Sequence, residues 1–143
     1  MDKLDVIKKM EAEGGPERRS SVESLILKAR KAGCKIEIGG GRVGGINIRY
    51  GSIGFALLDV NCNGDVKIYV QPHPSRPAPE ELHNQLNHLI GAKQDDLEPK
   101  THPINSYSLL QKKLEDIQDD ALHDFLDQAI AEIRQVYYSR RSL

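Results

Sequence analysis

The spacing of apolar residues changes at Gly33, and that change constrains the fold more than any other feature of the chain. Before it, Val22, Leu25, Ile26, Ala29 and Ala32 recur at helical intervals and form one stripe. Ser20-x-x-Glu23 has the form of a capping box, in which hydroxyl and carboxylate satisfy two otherwise free backbone N–H groups. Gly33 supplies the left-handed residue that ends such a helix. The spacing predicts a helix over 20–32. After Gly33 the period is two: Ile36 and Ile38 alternate with Lys35 and Glu37, and Ile46, Ile48 and Tyr50 alternate with Asn47 and Arg49. Ile53 to Asn61 is nearly all apolar, as a central strand is. Asn63-Gly64 then predicts a two-residue type I′ turn, because both of its positions need positive φ. Val66, Ile68 and Val70 follow, alternating with Asp65, Lys67, Tyr69 and Gln71. Four strands joined by short loops make an antiparallel meander.

The flanks are less regular. Leu4, Ile7 and Met10 suit one side of a short helix, but Gly14-Gly15-Pro16 breaks it, so 1–19 reads as a loosely held arm before a single domain over 20–143. The four prolines between Pro72 and Pro79 make a stiff connector or a polyproline II ligand segment. Pro79 then opens a helix with Leu82, Leu86, Leu89 and Ile90 on one side, ended by Gly91. Residues 92–107 read as a polar connection, and Ser108-x-x-Gln111 as the cap of a short helix bearing Leu109, Leu110 and Leu114. Asp119 or Asp120 caps the longest helix, whose stripe runs from Leu122 through Phe125, Leu126, Ala129, Ile130, Ile133 and Val136 to Tyr137. Helices on one face of an antiparallel sheet make an α+β two-layer sandwich.

Lysine and arginine number 20 against 21 acidic residues, which excludes both a generic polybasic binder and an acidic disordered tail. No apolar run approaches the ~18–20 residues of a membrane span, and the polar N-terminus lacks a signal-peptide core. A cytoplasmic protein with two reduced thiols, Cys34 and Cys62, is the expectation. The charge is unevenly placed: net +4 over residues 1–78 and net -5 over 79–143. Lys28, Arg30, Lys31, Arg42 and Arg49, with Arg18, Arg19 and Lys35, form a basic early segment that suits nucleic-acid phosphates. The competing reading is that the two halves neutralise one another.

Two motifs carry candidate chemistry. Gly39-Gly40-Gly41-Arg42-Val43-Gly44 matches G-x-G-x-x-G, with Asp59 twenty residues beyond Gly39. A dinucleotide site needs a helix after that loop, whereas Gly45 to Tyr50 is strand-patterned. What remains is a glycine-rich hairpin loop over 39–45 whose N–H groups, with Arg42, suit an anion. Glu37, Asp59, Asp65 and Lys67 are the strand-borne set that metal-dependent phosphodiester cleavage would use: carboxylates hold Mg²⁺ while the lysine steadies the attacking water. The histidines are scattered; His83 and His88 lie about 140° apart around a helix, so no metal site is expected, and no cofactor motif appears.

KAGCKIEIGGG at 31–41, NGDVKIYVQ at 63–71, HNQLNHLIGA at 83–92, PINSYSLL at 103–110 and ALHDFLDQAIAEIR at 121–134 are together similar to a group of small bacterial α+β domains. That resemblance spans Leu25 to Tyr138 and implies a fold but no catalytic residues. The reading that follows is a non-enzymatic binding or interaction module, contacting a protein or nucleic acid through the sheet's polar face or the basic segment. The alternative is a nuclease-like enzyme using Glu37, Asp59, Asp65 and Lys67. The C-terminal helix, about 27 Å long, overhangs a four-strand sheet about 15–20 Å wide. Its exposed end is covered either by a second copy in a homodimer or within the monomer.

Overall fold

The computed structural model describes residues 2–39, 43–52, 54–70, 97–100, 105–109 and 112–135. The expected proline connector, the helix opened by Pro79, Arg42 and the overhang at Val136 and Tyr137 lie outside them. The fold is α+β. Helix α1 (Lys3–Lys31) is followed by β1 (Cys34–Ile38), β2 (Gly45–Tyr50), β3 (Phe55–Asn61), β4 (Val66–Val70), β5 (Leu97–Lys100), β6 (Asn105–Leu109) and α2 (Asp119–Ile133). A turn of 3₁₀ helix at Leu114–Asp116 leads into α2.

The N-terminal segment is not a loose arm. Asp2 caps α1 in a reciprocal box with Asp5, and Val6, Ile7 and Met10 are buried in the core. Gly15, at φ +83, breaks α1 into two arms, and Pro16 starts the second, where its missing N–H is harmless. The second arm therefore begins before Ser20, which lies inside the helix instead of capping it. In a straight helix Lys3 and Arg30 would stand about 40 Å apart. Here both line one groove of about 430 Å³ with Ile7, Ile26 and Leu27, so the arms fold back on each other. Arg19 closes the bend by an ion pair with Glu11 at 2.6 Å. The helix ends as expected, with Gly33 at φ +88 and its N–H donating to the Arg30 carbonyl.

The meander β1 to β4 forms as the alternation predicts, but the sheet is longer. Its order is β1-β2-β3-β4-β6-β5, every neighbouring pair antiparallel. β5 and β6 fall where the sequence reads as a polar connection and a capped helix; Ser108 is a strand residue opposite Lys67. Pro99 is tolerated on β5 because that strand is at the sheet edge. One face carries Ile46, Ile48, Leu58, Val60, Val66 and Ile68, all buried in a single cluster with Val22, Leu25, Leu122, Phe125, Leu126 and Ile133 of the helix layer. Neither Asp119 nor Asp120 caps α2: Gln118 holds the N-cap position without a side-chain capping bond, and the two aspartates sit in the first turn, where their charge meets the helix dipole.

The hairpin between β3 and β4 differs from the two-residue turn that Asn63-Gly64 predicts. Asn61 N–H donates to the Asp65 carbonyl and Gly64 N–H to the Asn61 carbonyl, both at 2.9 Å, which closes a three-residue loop with Gly64 at φ +92. The cause is Cys62. Its N–H donates to the Gly44 carbonyl, its carbonyl accepts from Arg18, and its side chain is fully buried. The Gly44 bond continues the β2–β3 register one step past Gly45–Asn61, and with the Arg18 bond and burial it fixes Cys62 as the first loop residue instead of the partner of Asp65.

Candidate functional site

The register sets a row of polar positions across the face turned away from α1 and α2. Glu37 pairs with Asn47, Asn47 with Asp59, Asp59 with Lys67, Lys67 with Ser108, and Ser108 with Glu98. Asp59 is its centre. The Tyr69 hydroxyl donates to Asp59 Oδ2 at 2.5 Å, and the Lys67 ammonium lies 5.8 Å from the centre of the Tyr69 ring. Burial pushes the Asp59 carboxyl above its ordinary value; the Tyr69 hydrogen bond and the charges of Lys67 and Arg49 offset this only in part. Burial also raises the Tyr69 hydroxyl, aided by its bond to Asp59, so it stays a protonated donor at neutral pH. Arg49 completes the cluster. It donates to Glu37 at 3.1 Å and to the Gly54 carbonyl at 3.1 Å.

The four residues of the nuclease-like set do not come together. Glu37 and Asp59 are separated by β2, about 10 Å at two strand spacings. Glu37 pairs with Arg49, Asp59 with Tyr69, and Asp65 with Lys113 at 2.5 Å beyond the hairpin. Lys67 is the one member of the set that the observed register places beside Asp59. Among the described residues no group of three His, Cys, Asp or Glu side chains is placed to hold a metal ion.

The basic segment is also dispersed. Lys28 pairs with Asp127 of α2 at 2.9 Å, Arg19 with Glu11 and Glu23, and Arg49 with Glu37. Arg30 and Lys31 are exposed, without an acidic partner among the described residues, and border two different grooves. Arg18 is buried, 6% exposed, and points inward. It makes a two-pronged pair with Glu115 at 3.0 and 2.9 Å and donates to the Cys62 carbonyl at 3.1 Å. Three ion pairs, Arg18–Glu115, Lys28–Asp127 and Lys113–Asp65, join the basic and acidic halves of the chain. Both cysteines are free and buried, and burial pushes the Cys34 thiol up to about 11, so it is an inert thiol.

Tyr69 and Glu115 are not marked as site residues by sequence, and Arg18, expected among the phosphate-facing cations, is instead buried against Glu115. Tyr69 was within reach, since strand alternation puts it on the face of Lys67. Nothing local marks Arg18 as a buried residue. Comparison with protein-family models, curated proteins and solved structures finds no match for this chain.

Proposed function

We propose that this protein is a non-enzymatic interaction module that binds a protein partner through the polar sheet face centred on Asp59. The arrangement of Asp59 carries this reading. A carboxylate held by Tyr69 and flanked by Lys67 and Arg49 sits mid-sheet in a setting that disfavours its charge. An acid, a phenol and two cations gathered on one sheet face offer donors and acceptors of both signs to a complementary protein surface. Protein is favoured over nucleic acid because cations on this face stand beside anions: Arg49 bonds Glu37, and Lys67 is opposite Asp59. A polyanion needs unpaired cations whose counterions it can release.

Titration with single- and double-stranded DNA and RNA at low salt tests the partner class. No salt-steep binding is expected, and no hydrolysis of a phosphodiester in the presence of Mg²⁺ or Mn²⁺. Salt-dependent binding with a slope near one per phosphate contacted would move the function to the basic segment. Metal-dependent turnover lost in Asp59→Asn would overturn the non-enzymatic reading.

A further inference from the structure

The two edges of the sheet are unlike. β5 carries Pro99, which lacks the donor that strand addition uses. β1 has no proline, and no strand lies beyond it among the described residues. Gly39 N–H donates to the Gly45 carbonyl at 2.8 Å, in the same register that pairs Ile38 with Ile46. Antiparallel bonding alternates, so Gly39, Glu37 and Lys35 turn their backbone groups toward β2. Cys34, Ile36 and Ile38 turn theirs toward the open edge. On the helix-facing side Ile36 and Ile38 remain half-buried, whereas their neighbours on β2, Ile46 and Ile48, are buried.

We propose that the β1 edge pairs with β1 of a second copy, antiparallel about a two-fold axis through Ile36, joining the two sheets. The sequence Cys34-Lys-Ile-Glu-Ile38 is complementary to itself in that register. Ile36 meets Ile36 of the second copy and Cys34 meets Ile38, and these are the residues whose N–H and C=O groups face the edge. Six backbone hydrogen bonds form. Lys35 falls opposite Glu37 at positions not bonded across the pair, where side chains approach most closely. The two-fold axis repeats that contact, so two opposite-charge pairs form at once. Lys35 is exposed and has no acidic partner among the described residues, so it is available for this contact. A shift of the pairing by one residue would turn the edge-facing groups away from each other. The interface is small and belongs with weak, reversible associations.

Sedimentation equilibrium of the full chain at about 100 µM is the test. The dimer, twice the 16.0 kDa chain, is the expected major species. Lys35→Glu replaces both attractive pairs by repulsive ones and raises the dissociation constant about tenfold or more. Lys35→Glu combined with Glu37→Lys restores opposite charges across the two-fold axis and recovers the dimer, although each chain loses its own Glu37–Arg49 ion pair. Hydrogen exchange on the unaltered chain gives a second reading: the Ile36 and Ile38 amides gain protection as concentration rises. A monomer at about 100 µM, a dimer indifferent to Lys35→Glu, or protection independent of concentration each overturns the proposal.

Discussion

Arg18 and Glu115, 97 positions apart, meet in a two-pronged ion pair at 3.0 and 2.9 Å that fastens the bend of α1 to the segment entering α2. Arg18 also donates to the Cys62 carbonyl, and the adjoining Gly64 carbonyl accepts from the Leu114 N–H. Helix, hairpin and 3₁₀ turn are thus joined at one guanidinium. Close packing enforces glycine around it: a Cβ on Gly64 would lie 2.8 Å from Arg18 Cζ, at a φ that already disfavours a side chain.

Arg18→Met leaves Glu115 without its partner and the Cys62 carbonyl without a side-chain donor. The expected loss is about 2–4 kcal/mol, below the cost of breaking a fully buried pair because Glu115 retains some solvent. A urea melt checks it. A loss under about 0.5 kcal/mol would show the pair to be incidental.

The same pair sets an acid limit. Burial pushes Glu115 up, but the Arg18 hydrogen bond, a backbone hydrogen bond and the charges of Arg18 and Lys113 outweigh it, so its folded value lies below the ordinary 4.5. A carboxyl lowered on folding contributes stability that is present above its unfolded value and lost as pH falls through the folded one. Thermal melts from about pH 6 to pH 3 should show destabilisation beginning below 4.5 and a smaller acid slope in Arg18→Met. Equal slopes in the two proteins would contradict this.

Asp59 behaves in the opposite sense. Its folded value is raised by burial, so its contribution to stability is present below 3.8 and lost as pH rises through the folded value. Asp59→Asn keeps an acceptor for the Tyr69 hydroxyl and removes the buried charge. Stability at pH 7 should hold or rise, by on the order of 0.5 kcal/mol, while partner binding falls. A loss above about 1 kcal/mol would make Asp59 a structural residue.

Ile68 is fully buried between Leu58 and the strand position of Tyr107. Ile68→Ala should cost about 2–5 kcal/mol from lost burial and the cavity it leaves. A denaturant melt showing a tenth of that would place Ile68 on the wrong face of the sheet.

The helix–meander order was legible because Gly33 marks the change of period, Ile36–Ile38, Ile46–Tyr50 and Val66–Val70 alternate, and the apolar run from Ile53 reads as a central strand. The site was legible only in part, and one turn decided the matter. A two-residue turn at Asn63-Gly64 sets Asp59 opposite Ile68; the observed three-residue loop sets it opposite Lys67. Matching Leu58 and Val60 to Ile68 and Val66 would have selected the observed register from sequence. β5 and β6 give no such signal, since Ser106 and Ser108 alternate with residues of no consistent polarity. Arg18 sits in a charged run, Glu17-Arg18-Arg19, and its burial depends on a partner 97 positions away. The buried first arm of α1 was hidden by the break at Gly15, which reads as an end and acts as a bend.

Whether the face around Asp59 is the contact surface is tested most directly by photo-crosslinking from its rim. A photoreactive residue at Asn61, exposed at the end of β3, samples that face; one at Ala131, exposed on α2, samples the helix layer. In the source cell one discrete heavier species is expected from position 61, lost when Asp59→Ala is added, and none from position 131. The same adducts from both positions, or an adduct from position 61 unchanged by Asp59→Ala, would contradict it.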